Sequence, residues 1–271
     1  MNGGSACPAR YVFARGRGSG SIGVQRHCFP AMSLFRSIRE SLKMLGRFFT
    51  VRIKSGPLKG KRWIAASGSH FIAGDYEAFK TEAVLKSVSP GDVCYDVGGH
   101  VGYYTVTMAT LAGPQGRVFT FEPRPLNAAY IRRHLEINDV TNVTLTQAAV
   151  SDHAGKAGFE ARTGTGTGRL SESGNLQVQC VVLDDWVKAN GIPPPAFVKI
   201  DVEGGEIGVL NGARRTIEGA RPKLLVATHG KKENDFVCAL LDEWDYEYEV
   251  LNPDAVRGDT EIRAVPRGAR R

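Results

Sequence analysis

The feature that most constrains this chain is an alternation, starting near residue 90, of short apolar β-branched runs with amphipathic stretches. VCYDV precedes GYYTVTMATLA, VFTFE precedes AAYIRRHLEIN, VTLTQAAV follows, FVKIDV precedes EIGVLNGARRTI, and KLLVATH closes the series. Runs apolar on both faces of a strand belong to parallel strands buried between helices. Right-handed crossovers then leave an open, doubly wound α/β sheet as the expected topology, with ligands at the carboxyl ends of its strands.

Ahead of this series, TVRIKSGPLKGKRWIAA alternates around turns at Gly56-Pro57 and Gly60 and is predicted to form a hairpin. GDYEAFKTEAVLKSV follows with a helical pattern closed by Pro90-Gly91. Further upstream, Phe35, Ile38, Leu42, Leu45 and Phe49 recur at spacings of three and four, flanked by Arg36, Arg39, Lys43 and Arg47. That helix either docks on its own domain or makes peripheral contact with anionic membrane lipid or a partner through residues 33–49. Between residues 153 and 182 the rhythm breaks. TGTGTG (163–168) reads as a surface loop or a mobile lid, and LQVQCVVL as an edge or hairpin strand. The expected division is a disordered or mis-started tail over 1–31, a basic amphipathic helix over 32–50, one catalytic domain over 51–265, and a basic tail over 266–271.

Charge distribution restricts the partners. Residues 1–63 hold 13 of the 35 Lys and Arg and only one of the 28 acids, Glu40, so the remainder carries 22 bases against 27 acids. The catalytic body is mildly acidic, and a nucleic-acid partner is not expected. Five cysteines, odd in number and scattered, form no CxxC pair and no metal-ligand spacing, so no metal is expected and a reducing, cytoplasmic setting fits. No run of about 18 apolar residues occurs, and the first thirty residues lack an apolar signal core.

Chemistry concentrates at the predicted strand ends. DVGGHVGYYT places Gly98, Gly99 and Gly102 at a strand-to-helix turn, where backbone can approach a ligand closely. Asp96 at this strand tip would repel a pyrophosphate but attract the ammonium and sulfonium of S-adenosylmethionine. In VFTFEPRPLN, Glu122 ends the next strand at the spacing of an acid that hydrogen-bonds both ribose hydroxyls. FVKIDVEGGE puts Asp201, Glu203 and Glu206 on and after another strand. Asp201 and Glu203 are expected at the switch point, while helix capping accounts for Glu206. His229 ends a further strand and has the chemistry of a general base, with Asp201 orienting the acceptor beside it.

DVGGHVGYYT, VFTFEPRPLN, AVSD (149–152), VLDDW (182–186), KIDVEGGE and the RP…HG stretch, in this order, resemble the FkbM family of S-adenosylmethionine-dependent methyltransferases. GDYE (74–77) and SGPLKG (55–60) resemble its lead-in, and the likeness spans about residues 50–230. The resemblance implies a class I methyltransferase fold with a mostly parallel seven-stranded sheet, S-adenosylmethionine as cofactor, and O-methylation of a small-molecule or glycan hydroxyl. It assigns Asp96, Gly98 and Gly102 to the methionine end, Glu122 to the ribose, and Val150 and Ser151 to the adenine side. Where the family commonly carries Glu two residues before the His of the last strand, this chain has Ala227. Two alternatives stand beside this expectation: a nicotinamide-dependent oxidoreductase sharing the glycine turn and ribose acid, and a cofactor-binding protein without activity, favoured by Ala227.

Overall fold

The computed structural model describes residues 49–161, 165, 168–252 and 259–268. The proposed tail, the helix read over Ser33–Phe49 (all but its last residue) and most of the Thr/Gly run lie outside these residues.

In chain order the elements are β1 (Thr50–Arg52), β2 (Arg62–Ile64), α1 (His70–Ala73), α2 (Ala78–Ser87), β3 (Val93–Val97), α3 (Tyr103–Ala112), β4 (Arg117–Phe121), α4 (Pro125–Ile137) and β5 (Val143–Thr146). There follow β6 (Ala149–Val150), β7 (Gly155–Ala161), β8 (Gly168–Leu170), β9 (Leu176–Val181), α5 (Leu183–Asn190), β10 (Phe197–Ile200), α6 (Glu206–Gly212) and α7 (Arg214–Ala220). The last are β11 (Lys223–His229), α8 (Lys231–Glu243), β12 (Tyr246–Val250) and β13 (Asp259–Pro266).

Seven strands form the main sheet in the order β12-β13-β11-β10-β3-β4-β5, with β13 antiparallel to both of its neighbours. Side-chain alternation explains the uniformly apolar runs. Tyr95, Val97, Val198, Ile200, Leu224 and Val226 pack in one core, while Cys94, Phe197 and Leu225 pack in the other, on the opposite face. The chain winds outward through β3, β4 and β5 and then returns to β10 beside β3. The reversal of strand order therefore falls between β3 and β10, where a crevice opens at the strand ends.

Two features depart from the sequence reading and one agrees with it. VTLTQAAV is split, with β5 in the main sheet and β6 in a separate four-stranded sheet ordered β6-β9-β7-β8, which has its own small core of Ala149, Phe159, Val178 and Cys180. The single helix expected over 206–217 breaks at Ala213 into α6 and α7. The expected hairpin is present as β1 and β2, and His134 anchors it to α4: its Nε2 accepts from the Ile64 amide at 3.1 Å, its Nδ1 meets the Val101 carbonyl at 2.8 Å, and its ring stacks on Trp63.

Candidate functional site

A cavity of about 220 Å³ opens at the carboxyl ends of β3, β4, β10 and β11, walled on one side by Phe159 and Leu170 of the small sheet. Gly98 must be glycine for two reasons: its φ is 87°, and a Cβ there would stand 1.8 Å from the carbonyl oxygen of Asp201. Its turn and the end of β10 are thus in backbone contact. His100, which lines the cavity, meets the Thr165 carbonyl through Nε2, and the Thr165 hydroxyl donates to the Ser67 carbonyl at 3.0 Å.

Glu122 sits at the end of β4, 4% exposed. One carboxylate oxygen accepts the His100 amide at 2.8 Å and the other the Arg124 amide at 2.9 Å, so the group is fixed by backbone. Burial pushes its carboxyl up to about 7, against these two hydrogen bonds. Asn127 lines the same wall, and its side-chain oxygen is buried without a partner. Two fixed carboxylate oxygens beside an unsatisfied amide oxygen suit a ligand that brings a pair of hydroxyl donors.

Asp201, Glu203 and His229 meet at the other end of the cavity. His229 Nε2 lies 3.9 Å from Asp201 Oδ1 and 3.6 Å from Glu203 Oε2, while Nδ1 is 2.9 Å from Glu206 Oε1. Burial alone would depress the imidazole, but the Glu206 hydrogen bond and the three carboxylates outweigh it and push His229 up to about 9. Asp201 is held well below the usual carboxylate range: burial opposes ionisation, yet Lys80 and Lys199 prevail, Lys80 Nζ lying 2.8 Å from Oδ2. Lys80 is itself buried on α2 and is also paired with Glu77 at 3.2 Å and Glu261 at 2.8 Å. Burial raises the Glu203 carboxyl. The ligand atoms of Asp201, Glu203 and His229 all lie within 4.8 Å of one another, a spacing that also suits a metal ion and that no local sequence pattern announced.

Of the expected cofactor residues, Gly98, Gly99, Glu122 and Val150 line the cavity. Asp96, Gly102 and Ser151 do not. Asp96 is fully buried and directly opposite Lys199 in the β3–β10 register; its carboxylate takes the Thr105 hydroxyl at 2.6 Å and Lys199 at 3.3 Å. In this structure the Asp96 carboxylate is thus engaged inside the sheet by Thr105 and Lys199 and is not among the residues lining the cavity. Gly102, at φ 95°, enters α3 and packs near Ile131, and the Ser151 hydroxyl turns to Asp152 and His153. Glu206, assigned above to capping, does satisfy the Gly204 amide at 3.0 Å, but the same oxygen holds His229. Lys80 and Glu261 were not anticipated. A lysine in a helix and a glutamate near the end of the chain carry no local signal of burial.

The sheet order, the glycine turn and the backbone-fixed acid at the end of β4 define a class I methyltransferase, whose cofactor is S-adenosylmethionine. Within that class the chain belongs to the FkbM methyltransferase family, whose model, the Methyltransferase FkbM domain, matches residues 96–248. It is similar to the hexuronic acid methyltransferase AglP of Haloferax volcanii, at 28% identity over 63% of this chain and 71% of that protein. The 2-O-methyltransferase NoeI of Sinorhizobium fredii is 27% identical over 49% of this chain and 61% of that protein. The 31-O-demethyl-FK506 methyltransferase FkbM of Streptomyces tacrolimicus is 31% identical over 54% and 72%, respectively. Family membership sets aside the nicotinamide alternative. Among the described residues no helix is long and apolar enough to cross a membrane.

Proposed function

We propose that this protein transfers a methyl group from S-adenosylmethionine to a hydroxyl of a sugar, glycan or natural product. The observation that carries this reading is one cavity holding Glu122 at one end and Asp201, Glu203 and His229 at the other. The β4 and β11 ends lie three strand spacings apart, about 14 Å, room for an extended cofactor between a ribose anchor and an acceptor. Relatives described as acting on a hexuronic acid, at a 2-O position and at a 31-O position support an oxygen acceptor.

Glu122 would hold the ribose hydroxyls, and the backbone of Gly98 and Gly99 the methionine portion. The bound cofactor supplies an electrophilic methyl on a positively charged sulfur. What remains for the protein is alignment of the acceptor and removal of its proton. His229 fits the second task. Its Nδ1 is engaged by Glu206, so Nε2 is the nitrogen that faces the acceptor end, and Asp201 and Glu203 stabilise the imidazolium that forms. Lys80 keeps Asp201 ionised. We read the Asp201–Glu203–His229 group as this acceptor site rather than a metal centre, because Asp201 is already paired with Lys80 at 2.8 Å. Among the described residues Cys94, Cys180 and Cys238 are free thiols, which fits a reducing, cytoplasmic setting. Incubation of the full chain with methyl-tritiated S-adenosylmethionine and a panel of glycosides tests the proposal. Label on an acceptor oxygen supports it, and label on nitrogen or carbon alone overturns it.

A further inference from the structure

Glu261 stands on β13, beyond the segment matched by the family model, and nothing in its local sequence marks it. Its register partner across the β11–β13 ladder is Ala227. Directly opposed residues of an antiparallel pair project to the same face of the sheet. The carboxyl group missing at position 227 is thus replaced on that face from the neighbouring strand. Glu261 lines the cavity together with Asp201, Glu203 and His229. Its Oε1 is 2.8 Å from Lys80 Nζ, while its Oε2 is buried without a hydrogen-bond partner. A buried carboxylate oxygen is expected to have a donor, and on a residue that lines a ligand cavity a bound ligand can supply it.

The charges around it narrow what that ligand can be. The acceptor end gathers five carboxyl groups, those of Glu77, Asp201, Glu203, Glu206 and Glu261, against Lys80 and His229. Lys199 adds a third cation, 3.8 Å from Asp201, but brings the buried Asp96 with it at 3.3 Å, and Arg124 stands at the ribose end beside Glu122. A further carboxylate brought here would meet net repulsion, whereas sugar hydroxyls would meet acceptors.

Resting on the O-methyltransferase reading above, we infer that Glu261 binds the acceptor, its Oε2 taking a hydrogen bond from a hydroxyl next to the one methylated. We infer further that the acceptor is an uncharged polyol, of the pyranoside type, rather than a carboxylate-bearing sugar. Ala227 is then no sign of lost activity. Glu261 then supplies from β13 the carboxyl group that position 227 lacks.

The test uses the full chain with p-nitrophenyl β-D-glucopyranoside and its glucuronide counterpart as acceptor probes. Wild-type protein should favour the glucoside in kcat/KM by about tenfold or more. Glu261→Ala should raise KM for the glucoside about tenfold while kcat and S-adenosylhomocysteine affinity stay within about threefold. Adding Ala227→Glu to that variant returns a carboxyl group to the same face and should recover most of the lost KM, a rescue that a purely structural role would not give. Should Glu261→Ala fail to fold, Glu261→Gln, of the same shape, is read in its place. Unchanged KM in the folded variant overturns the role of Glu261. Preference for the glucuronide, or transfer to neither probe by protein that binds S-adenosylhomocysteine, overturns the acceptor class alone. Failure of the wild type to bind S-adenosylhomocysteine overturns the methyltransferase reading beneath both.

Discussion

Replacing Glu122 by Gln separates cofactor binding from stability, because the two respond to different properties of the same carboxylate. Its carboxyl is raised from an ordinary 4.5 to about 7 by burial. Below pH 4.5 the group is neutral in both folded and unfolded chains and costs the fold nothing. As pH rises through 4.5 to 7 the unfolded chain ionises first, so stability falls, and above 7 the full cost of about 3 kcal/mol is in force. Gln removes that cost but places an amide NH2 against one of the two backbone amides, of His100 and Arg124, that now donate to the carboxylate, a loss of about 1–3 kcal/mol. Glu122→Gln should therefore destabilise the protein at pH 5 and be close to neutral at pH 8. Affinity for S-adenosylhomocysteine at pH 8 should nevertheless fall by about 1.5–3 kcal/mol, roughly 10- to 150-fold, through loss of hydrogen bonds to a charged group. Urea denaturation at pH 5, 6.5 and 8 and calorimetric titration at pH 8 measure the two effects. Undiminished affinity would remove Glu122 from the ribose role, and a stability difference that ignores pH would refute the buried-charge arithmetic.

His229→Ala should lower turnover roughly 100-fold or more with cofactor affinity nearly constant, as general-base loss does, and single-turnover kinetics with calorimetry would show the split. In wild type the base must shed a proton held up to about 9, so turnover should climb with pH and level off near that value; a flat profile from pH 6 to 9 would rule His229 out as base. Lys199→Met leaves the fully buried Asp96 without its cation and should cost about 3–5 kcal/mol in urea unfolding, whereas a loss below 1 kcal/mol would mean the pair is not what neutralises Asp96. Dialysis against EDTA should leave turnover unchanged; loss of activity restored by Mg²⁺ or Mn²⁺ would reassign Asp201, Glu203 and His229 to a metal ion.

The sequence by itself determined the layers and the location of the site. Continuous apolar runs such as VCYDV and FVKIDV can be buried only between two helical faces, and the order of strands and helices then directs the tips carrying Gly98, Glu122, Asp201 and His229 to one edge of the sheet. These inferences rest on local periodicity and on connection rules, both legible along the chain. Which charges face the ligand was decided by register, which depends on how strands far apart in sequence slide past one another. Asp96, at a strand tip like Glu122, is consumed by Lys199 because β3 and β10 pair with those two residues directly opposed. Glu206 accepts the Gly204 amide just ahead of its helix and also holds His229, a second contact that exists only once β11 is set beside α6. Lys80 and Glu261 reach the cavity from a helix and a final antiparallel strand more than a hundred residues apart in the sequence. No pattern within either segment encodes that meeting. It arises because packing against the sheet leaves each buried charge only a few neighbours with which to be paired.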